Sequence, residues 1–292
     1  MALSTITQFA DTAEGEAFYR AYDAVLSKWP EGTTSSDVES RFGSTRVNSC
    51  GPEGAPPVLL LPGGGATSTV WFDNIAALSR AHRVHAVDLM GDAGRSAHTG
   101  DAIRNVDDLL DWLESVVDSL GLARPSIVAH SYGAIIALAY ALRTPERVDR
   151  LMLLDPNSCF AGMKPRYLLH ALPIFLRPTE KRERVFLEWE TEGAQFDPDW
   201  MTLLARGAAD FPNSKTIVPR RPTVEALSTL RVDTTVVLAP RSKVHDVAKV
   251  ERSVRSSLSN ARIVTLSSGT HHTLPMEPSA ELNAELLDAL DR

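Results

Sequence analysis

The 292-residue chain is poor in cysteine, in basic charge and in long apolar runs, and each shortage excludes something. Cys50 and Cys159 are its two cysteines. They allow at most one disulfide and show no metal-ligand spacing, so free thiols in a reducing cytoplasm are the simplest expectation. The 30 Lys and Arg against 37 Asp and Glu leave a net charge of −7, which opposes a nucleic-acid footprint. The locally basic stretch 241–255 is broken by Asp246 and Glu251 and reads as a solvated helix face. Residues 1–30 lack a basic region followed by an apolar core, so no export signal is expected. No apolar run approaches the ~20 residues a membrane-spanning helix needs. Neither a membrane nor nucleic acid is therefore an expected partner, and oligomeric state leaves no signature. What is present is ordinary: 43% hydrophobic and 23% charged residues describe a soluble globular protein, long enough for one large domain or one domain with an insertion.

The hydrophobic pattern sets the organisation. Residues 16–27 have apolar side chains at helical spacing, and residues 39–50 alternate like a hairpin around Gly43-Ser44. A rhythm follows. Strands are expected at 57–61 (PVLLL), 83–89, 125–129, 151–155, 234–239 and 262–266, with helices between them near 70–79, 103–120 and from Gly133 onwards. The 103–120 helix has one apolar face, from Ile103 to Leu120, and Gly121 as its stop. Continuously apolar strands alternating with helices imply an α/β fold with a mostly parallel, doubly wound sheet covered on both faces. Residues 157–228 break the rhythm with seven prolines, from Pro165 to Pro222, and with helical pieces rich in aromatics. They are expected to form a helical cap inserted after strand 6, over the carboxyl edge of the sheet, leaving 1–156 and 229–292 as the core. Its aromatics are expected to pack mainly against one another.

The strand at 125–129 runs into Ala129-His130-Ser131-Tyr132-Gly133, which opens an apolar helix closed by Pro145. A serine at so sharp a strand-to-helix turn presents its hydroxyl at the carboxyl edge of a sheet, above a helix N-terminus. Small residues are required two positions either side, where the strand and helix backbones come close. Ala129 and Gly133 stand there, one methyl group away from the usual Gly-x-Ser-x-Gly. The structural alternative is a serine that merely caps a buried helix.

Acyl chemistry at Ser131 requires a base, a carboxylate to orient it and donors for an oxyanion. The loop Pro62-Gly63-Gly64-Gly65 supplies sterically free N–H groups; Gly64 and the N–H of Tyr132 are the candidate oxyanion donors. A phosphate loop is the competing reading of those glycines, but its lysine is missing. His271 and His272 follow the last strand, and adjacent side chains point differently, so only one can face the serine. For the acid, the loop after 234–239 has Ser242 or Lys243 where a carboxylate is usual, and Asp246 stands further along. Asp155, ending the 151–155 strand, also projects at the carboxyl edge, with a turn cap before Pro156 as its structural alternative. Asp155 is placed ahead of Asp246, and both stay open. Trp71, just past the glycine loop, is a candidate substrate contact or simply helix packing.

Together these residues resemble the α/β-hydrolase fold family, from about Phe42 to Leu290. Asp88-Leu89-Met90-Gly91-Asp92-Ala93-Gly94-Arg95-Ser96 is similar to that family's Asp-x-x-Gly-x-Gly-x-Ser turn, with Ala93 added before the second glycine. His272-Thr273-Leu274-Pro275-Met276-Glu277 resembles its His-x-x-Pro-x-Glu, which selects His272 over His271. Ser40-Arg41-Phe42-Gly43, Gly51-Pro52 and Gly91-Asp92 look most like bacterial carboxylesterases. Pro62 replaces the histidine that often precedes the oxyanion glycine in the family. A carboxylate after the sixth strand, where Asp155 stands, serves certain haloalkane dehalogenases of the same fold; those use an aspartate nucleophile, which Ser131 argues against. The resemblance implies a serine esterase acting on small, hydrophobic carboxylic esters through an acyl-enzyme, without metal or organic cofactor. Amide, thioester or C–C hydrolysis and acyl transfer run on the same residues, and a non-catalytic small-molecule receptor could keep the same fold.

Overall fold

The computed structural model describes residues 8–212 and 216–292. Its strands are β1 (Thr34–Ser40), β2 (Gly43–Cys50), β3 (Pro57–Leu61), β4 (Arg83–Val87), β5 (Ser126–His130), β6 (Arg150–Leu154), β7 (Asp233–Leu238) and β8 (Arg262–Thr265). They form one sheet in the order β1-β2-β4-β3-β5-β6-β7-β8. β1 and β2 pair antiparallel, β2 joins β4 antiparallel, and every later pairing is parallel. This is the α/β class expected from the pattern of continuous apolar strands.

Alternation along those strands builds two cores. Leu59, Leu61, Ile127, Ala129, Leu151 and Leu153 face one layer, and Val58, Leu60, Val128, Met152 and Leu154 face the other. Each buried Leu or Ile of this kind contributes about 1.5–3 kcal/mol. The first layer is closed by α3 (Val106–Ser119) and α4 (Ser131–Arg143), the second by α1 (Ala13–Leu26), α2 (Phe72–Leu78) and α10 (Ser279–Asp291). α9 (Val247–Ser257) sends Val250 and Val254 into the first layer. Both sheet edges are poorly suited to further pairing: β1 is polar and mostly exposed, and β8 is four residues long.

Several boundaries move for local reasons. The helix expected at 103–120 begins at Val106, because the Asn105 side chain accepts the Asp108 N–H and caps it. The strand expected at 125–129 slips to 126–130, since Pro125 has no N–H to give the ladder. The hairpin turns at Arg41-Phe42 rather than Gly43-Ser44, with Ser40 opposite Gly43, and its first strand reaches back to Thr34.

Between β6 and β7 the described residues make helices α5 (Pro165–Leu176), α6 (Glu180–Glu190), α7 (Pro198–Asp210) and α8 (Val224–Ser228). Two of the prolines mark helix starts: Pro165 and Pro198 occupy first-turn positions, where a missing N–H costs nothing, whereas Pro173 lies inside α5. Tyr167, Ala171, Phe186 and Leu187 form a small apolar cluster with Val244 of the core. α7 packs on α1, and Phe211 lies edge-on to Phe9 at 5.4 Å between centroids.

Candidate active site

β5 passes into α4 without a loop, and Ser131, the first helical residue, has φ +52°. A non-glycine residue in that left-handed region costs on the order of 1–3 kcal/mol, which the surrounding packing sustains. The turn needs glycine at 133: a Cβ there would lie 2.5 Å from Pro62 O and 2.7 Å from Leu61 O. The Gly133 N–H instead donates to Pro62 O at 3.1 Å, tying the helix start to the glycine loop.

Ser131 Oγ donates to His271 Nε2 at 2.7 Å, and His271 Nδ1–H donates to Asp155 Oδ2 at 2.6 Å. The histidine facing Ser131 is thus His271, which corrects the choice of His272 drawn from the family-like motif. The two rings stand at 85° with centroids 5.0 Å apart, so the neighbours address different surroundings. His272 turns towards the helices between β6 and β7: its backbone N–H donates to Glu190 Oε2 at 3.1 Å and its Nε2 accepts from Tyr167 Oη at 3.0 Å. Burial, partly offset by the Glu190 charge, lowers its pKa to about 4 and keeps it neutral at pH 7. The backbone between Gly269 (φ +104°) and Thr273, whose Oγ1 accepts the Thr270 N–H at 2.9 Å, sets which ring points where.

Asp155 leaves β6 with φ +39° and is wholly buried. Ser242 Oγ donates to its Oδ2 at 2.7 Å; the Ala239 N–H and His245 Nε2–H donate to its Oδ1 at 3.2 and 3.1 Å. Burial alone would raise its pKa. The hydrogen bonds and electrostatic pull of His245 and then His271 more than offset this and hold it far below the usual carboxylate range. Asp246, the other candidate acid, is exposed and caps α9 by accepting the Lys249 N–H at 3.0 Å. It is out of the site because the helix it begins turns it towards solvent.

The glycine loop lies against the start of α4. A Cβ on Gly64 would be 3.5 Å from Tyr132 Cβ, and neither the Gly64 nor the Tyr132 N–H has an acceptor among the described residues. The loop is fixed from its far side by Asp92, which accepts the Gly65 N–H at 2.9 Å and the Ala93 N–H at 2.8 Å. Burial raises the pKa of Asp92, and those two N–H groups oppose the rise. Tyr132 reaches the segment between β6 and β7 as well, its hydroxyl donating to Ile217 O at 2.7 Å.

Trp71 is not a substrate contact. It has no exposed surface and packs with Val70, Ile75 and Leu78 in the second core layer.

Sequence reasoning missed Ser242, His245, His130, Glu190 and Asp92 as parts of the site. His130 Nε2–H donates to His271 O at 3.1 Å, and burial beside His271 holds its pKa well below the ordinary value. Glu190, at the end of α6, accepts from Thr270 Oγ1 at 2.9 Å as well as from His272 N. For Asp92 there was a signal: it stands in the glycine turn that is one residue longer than the family-like pattern.

A family model described as "Alpha/beta hydrolase family" matches residues 58–285. The chain belongs to the alpha/beta hydrolase family. Among other members, it is 39% identical over 158 residues to carboxylesterase YbfK of Bacillus subtilis (strain 168), covering 54% of this chain and 53% of that protein. It is 33% identical over 186 residues to the uncharacterized carboxylesterase nap of the same organism, covering 64% and 60%. The chain thus spans between half and two thirds of the length of these curated relatives. The crystal structure of naproxen esterase (carboxylesterase NP) from Bacillus subtilis superposes with a TM-score of 0.88 at 28% identity, covering 95% of this chain and 98% of that one.

Proposed function

We propose that the protein hydrolyses carboxylic esters of small, hydrophobic substrates through an acyl-enzyme, with Ser131, His271 and Asp155 as its catalytic triad. The observation that carries this reading is the unbroken hydrogen-bonded line from Ser131 Oγ through His271 to Asp155. The names of the carboxylesterase relatives support the choice of ester over other acyl substrates.

In the first half-reaction Ser131 Oγ attacks the ester carbonyl as His271 Nε2 takes its proton. Asp155 fixes the tautomer, because its Oδ2 accepts Nδ1–H and leaves Nε2 bare, and it stabilises the imidazolium that forms. The Gly64 and Tyr132 N–H groups receive the oxyanion, helped by the positive end of α4. The tetrahedral adduct collapses when His271 returns the proton to the departing alkoxide oxygen, releasing the alcohol. Water then repeats the sequence on the acyl-enzyme, releasing the acid and restoring Ser131.

Residues 157–228 serve in this reading as a cap. Tyr132, His272 and the Thr270 hydroxyl each bond to that segment, and Tyr167 and Phe186 supply apolar surface beside His272. The two cysteines are buried and unpaired, which suits work in a reducing cytoplasm.

A fluorophosphonate probe and a series of p-nitrophenyl esters of graded acyl length test the proposal. Labelling at Ser131, abolished in His271→Ala, with turnover of short and medium esters is the expected result. Folded protein that neither labels nor turns over any ester would sink it.

A further inference from the structure

Asp155 uses both of its oxygens, and only one of them faces His271. Oδ2 is shared by His271 Nδ1–H and the Ser242 hydroxyl, whereas Oδ1 is held by the Ala239 N–H at 3.2 Å and His245 Nε2–H at 3.1 Å. We propose that His245 is a positioning residue for the reaction, clamping Asp155 Oδ1 so that Oδ2 stays aimed at His271. His245 has this role only if Ser131 is the nucleophile proposed above, and the measurements below separate the two.

Three observations carry the assignment. First, rotation about χ2 of an aspartate is soft, so two bonds to Oδ2 alone leave the carboxylate plane free to swing. A donor on the other oxygen removes that freedom, and the backbone donor there is the longest contact in the set. Second, His245 is itself immobile. It has no exposed surface, Asp246 next to it caps α9, and the carbonyl of Val244 on its other side accepts the Lys164 N–H at 2.7 Å. Third, its ring is used on one side only. Nδ1 is buried without a partner among the described residues, so the Nε2–H contact to Asp155 is the ring's sole hydrogen bond. A packing residue of that shape would be better served by an apolar side chain, because an unpaired ring nitrogen in the interior is costly. The same contact fixes the tautomer: with the proton on Nδ1, a bare Nε2 lone pair would face a carboxylate oxygen.

The ring of His245 stands edge-on to that of His271, with centroids 6.4 Å apart at 81°. The two imidazoles therefore reach one carboxylate from different directions without competing for the same oxygen.

The 292-residue chain with His245→Leu, His245→Asn or His245→Gln tests the clamp by ester turnover and by the far-downfield NMR resonance of the proton between His271 and Asp155. Gln places its amide N–H where Nε2 stands, whereas Asn places it where Nδ1 stands and leaves Oδ1 with the longer Ala239 N–H contact alone. For Leu and Asn, kcat should fall by about tenfold to a hundredfold, as for outer partners of other reactive groups, with KM within about twofold. The downfield resonance should move upfield or broaden in both. Gln should keep kcat within about threefold of wild type and leave the resonance in place. If Leu does not fold, the Asn and Gln pair carries the comparison. A folded Asn variant with wild-type kcat and resonance overturns the proposal, and so does a folded Gln variant as impaired as Leu. If the wild type hydrolyses no ester, the proposed function fails while the resonance still decides the clamp: moved in Asn and kept in Gln supports it, and unchanged in Asn overturns it.

Discussion

Ser242 gives its hydroxyl hydrogen to Asp155 Oδ2 at 2.7 Å, so the side chain at the usual acid position after β7 touches the carboxylate that ends β6. The two positions are adjacent at the carboxyl edge because β6 and β7 are parallel neighbours, with Leu154 opposite Val237. A carboxylate from either strand can meet His271, and the other strand then contributes a neutral donor. Asp155→Asn should lower kcat by about 10³–10⁴, as loss of the orienting aspartate does in serine proteases. Ser242→Ala should cost about tenfold, the scale of one hydrogen bond to a charged group. Asp246→Asn, which keeps a good helix cap, should leave kcat unchanged. Steady-state kinetics on one p-nitrophenyl ester decides all three, and an Asp246→Asn loss larger than that of Asp155→Asn would reverse the assignment.

The neighbouring histidines separate in the same way. His271→Ala should abolish Ser131 labelling by a fluorophosphonate. His272→Ala, which loses only the contacts to Tyr167 and the surrounding rings, should label at a rate within about tenfold of wild type. Mass spectrometry of the Ser131 peptide over time reads both, and equal loss in the two variants would contradict the geometry.

What was legible in the sequence follows from what leaves a period. β3, β5, β6 and β7 are buried on both faces and so carry short apolar runs: VLLL, IVA, LMLL and VVL. The β5–Ser131–α4 turn announces itself through the small residues that close approach demands. By contrast, β1 reads TSSDVES and lies mostly exposed at the sheet edge, so no apolar alternation marks its first half. The choice between His271 and His272 depended on backbone angles in a turn without hydrophobic pattern. A motif resemblance one residue out of register sent it the wrong way. Asp155, Ser242 and His245 come from two loops some 90 residues apart in sequence, and their meeting depends on strand order, which spacing alone does not encode.

Stability should respond to pH through two buried groups of opposite sign. Burial raises the pKa of Glu183, on α6, to about 7 from 4.5. The native state keeps its proton after the unfolded chain has lost it, so this contribution is complete below about pH 4.5 and disappears as pH rises through about 7. Glu183→Gln should match wild type at pH 4 and exceed it at pH 8 by up to about 3 kcal/mol. His85 behaves in the reverse sense. Burial, with a smaller push from Arg83, lowers its pKa from 6.5 to about 4, and its Nδ1 pairs with Ser49 Oγ at 2.8 Å. The unfolded chain takes up this proton first, so its contribution is present above pH 6.5 and is lost as pH falls towards 4. Urea melts across this range should show Glu183→Gln flattening the alkaline side and His85→Gln flattening the acid side.

Asp92 offers a test of the glycine loop that leaves Ser131, His271 and Asp155 untouched. Its carboxylate accepts the Gly65 and Ala93 N–H groups and so joins the loop after β3 to the turn after β4. Gly65 has φ +77° and follows Gly64 directly, so releasing Gly65 frees the N–H expected to meet the oxyanion. A donor misplaced in this way should act on the transition state more than on the bound ester. Asp92→Ala should therefore lower kcat by about tenfold to a hundredfold with KM within about threefold, a smaller loss than removal of a donor itself. Asp92→Asn, whose amide oxygen can still accept one of the two N–H groups, should fall between Ala and wild type. If Asp92→Ala raised KM and left kcat alone, the loop would be serving substrate binding rather than the oxyanion.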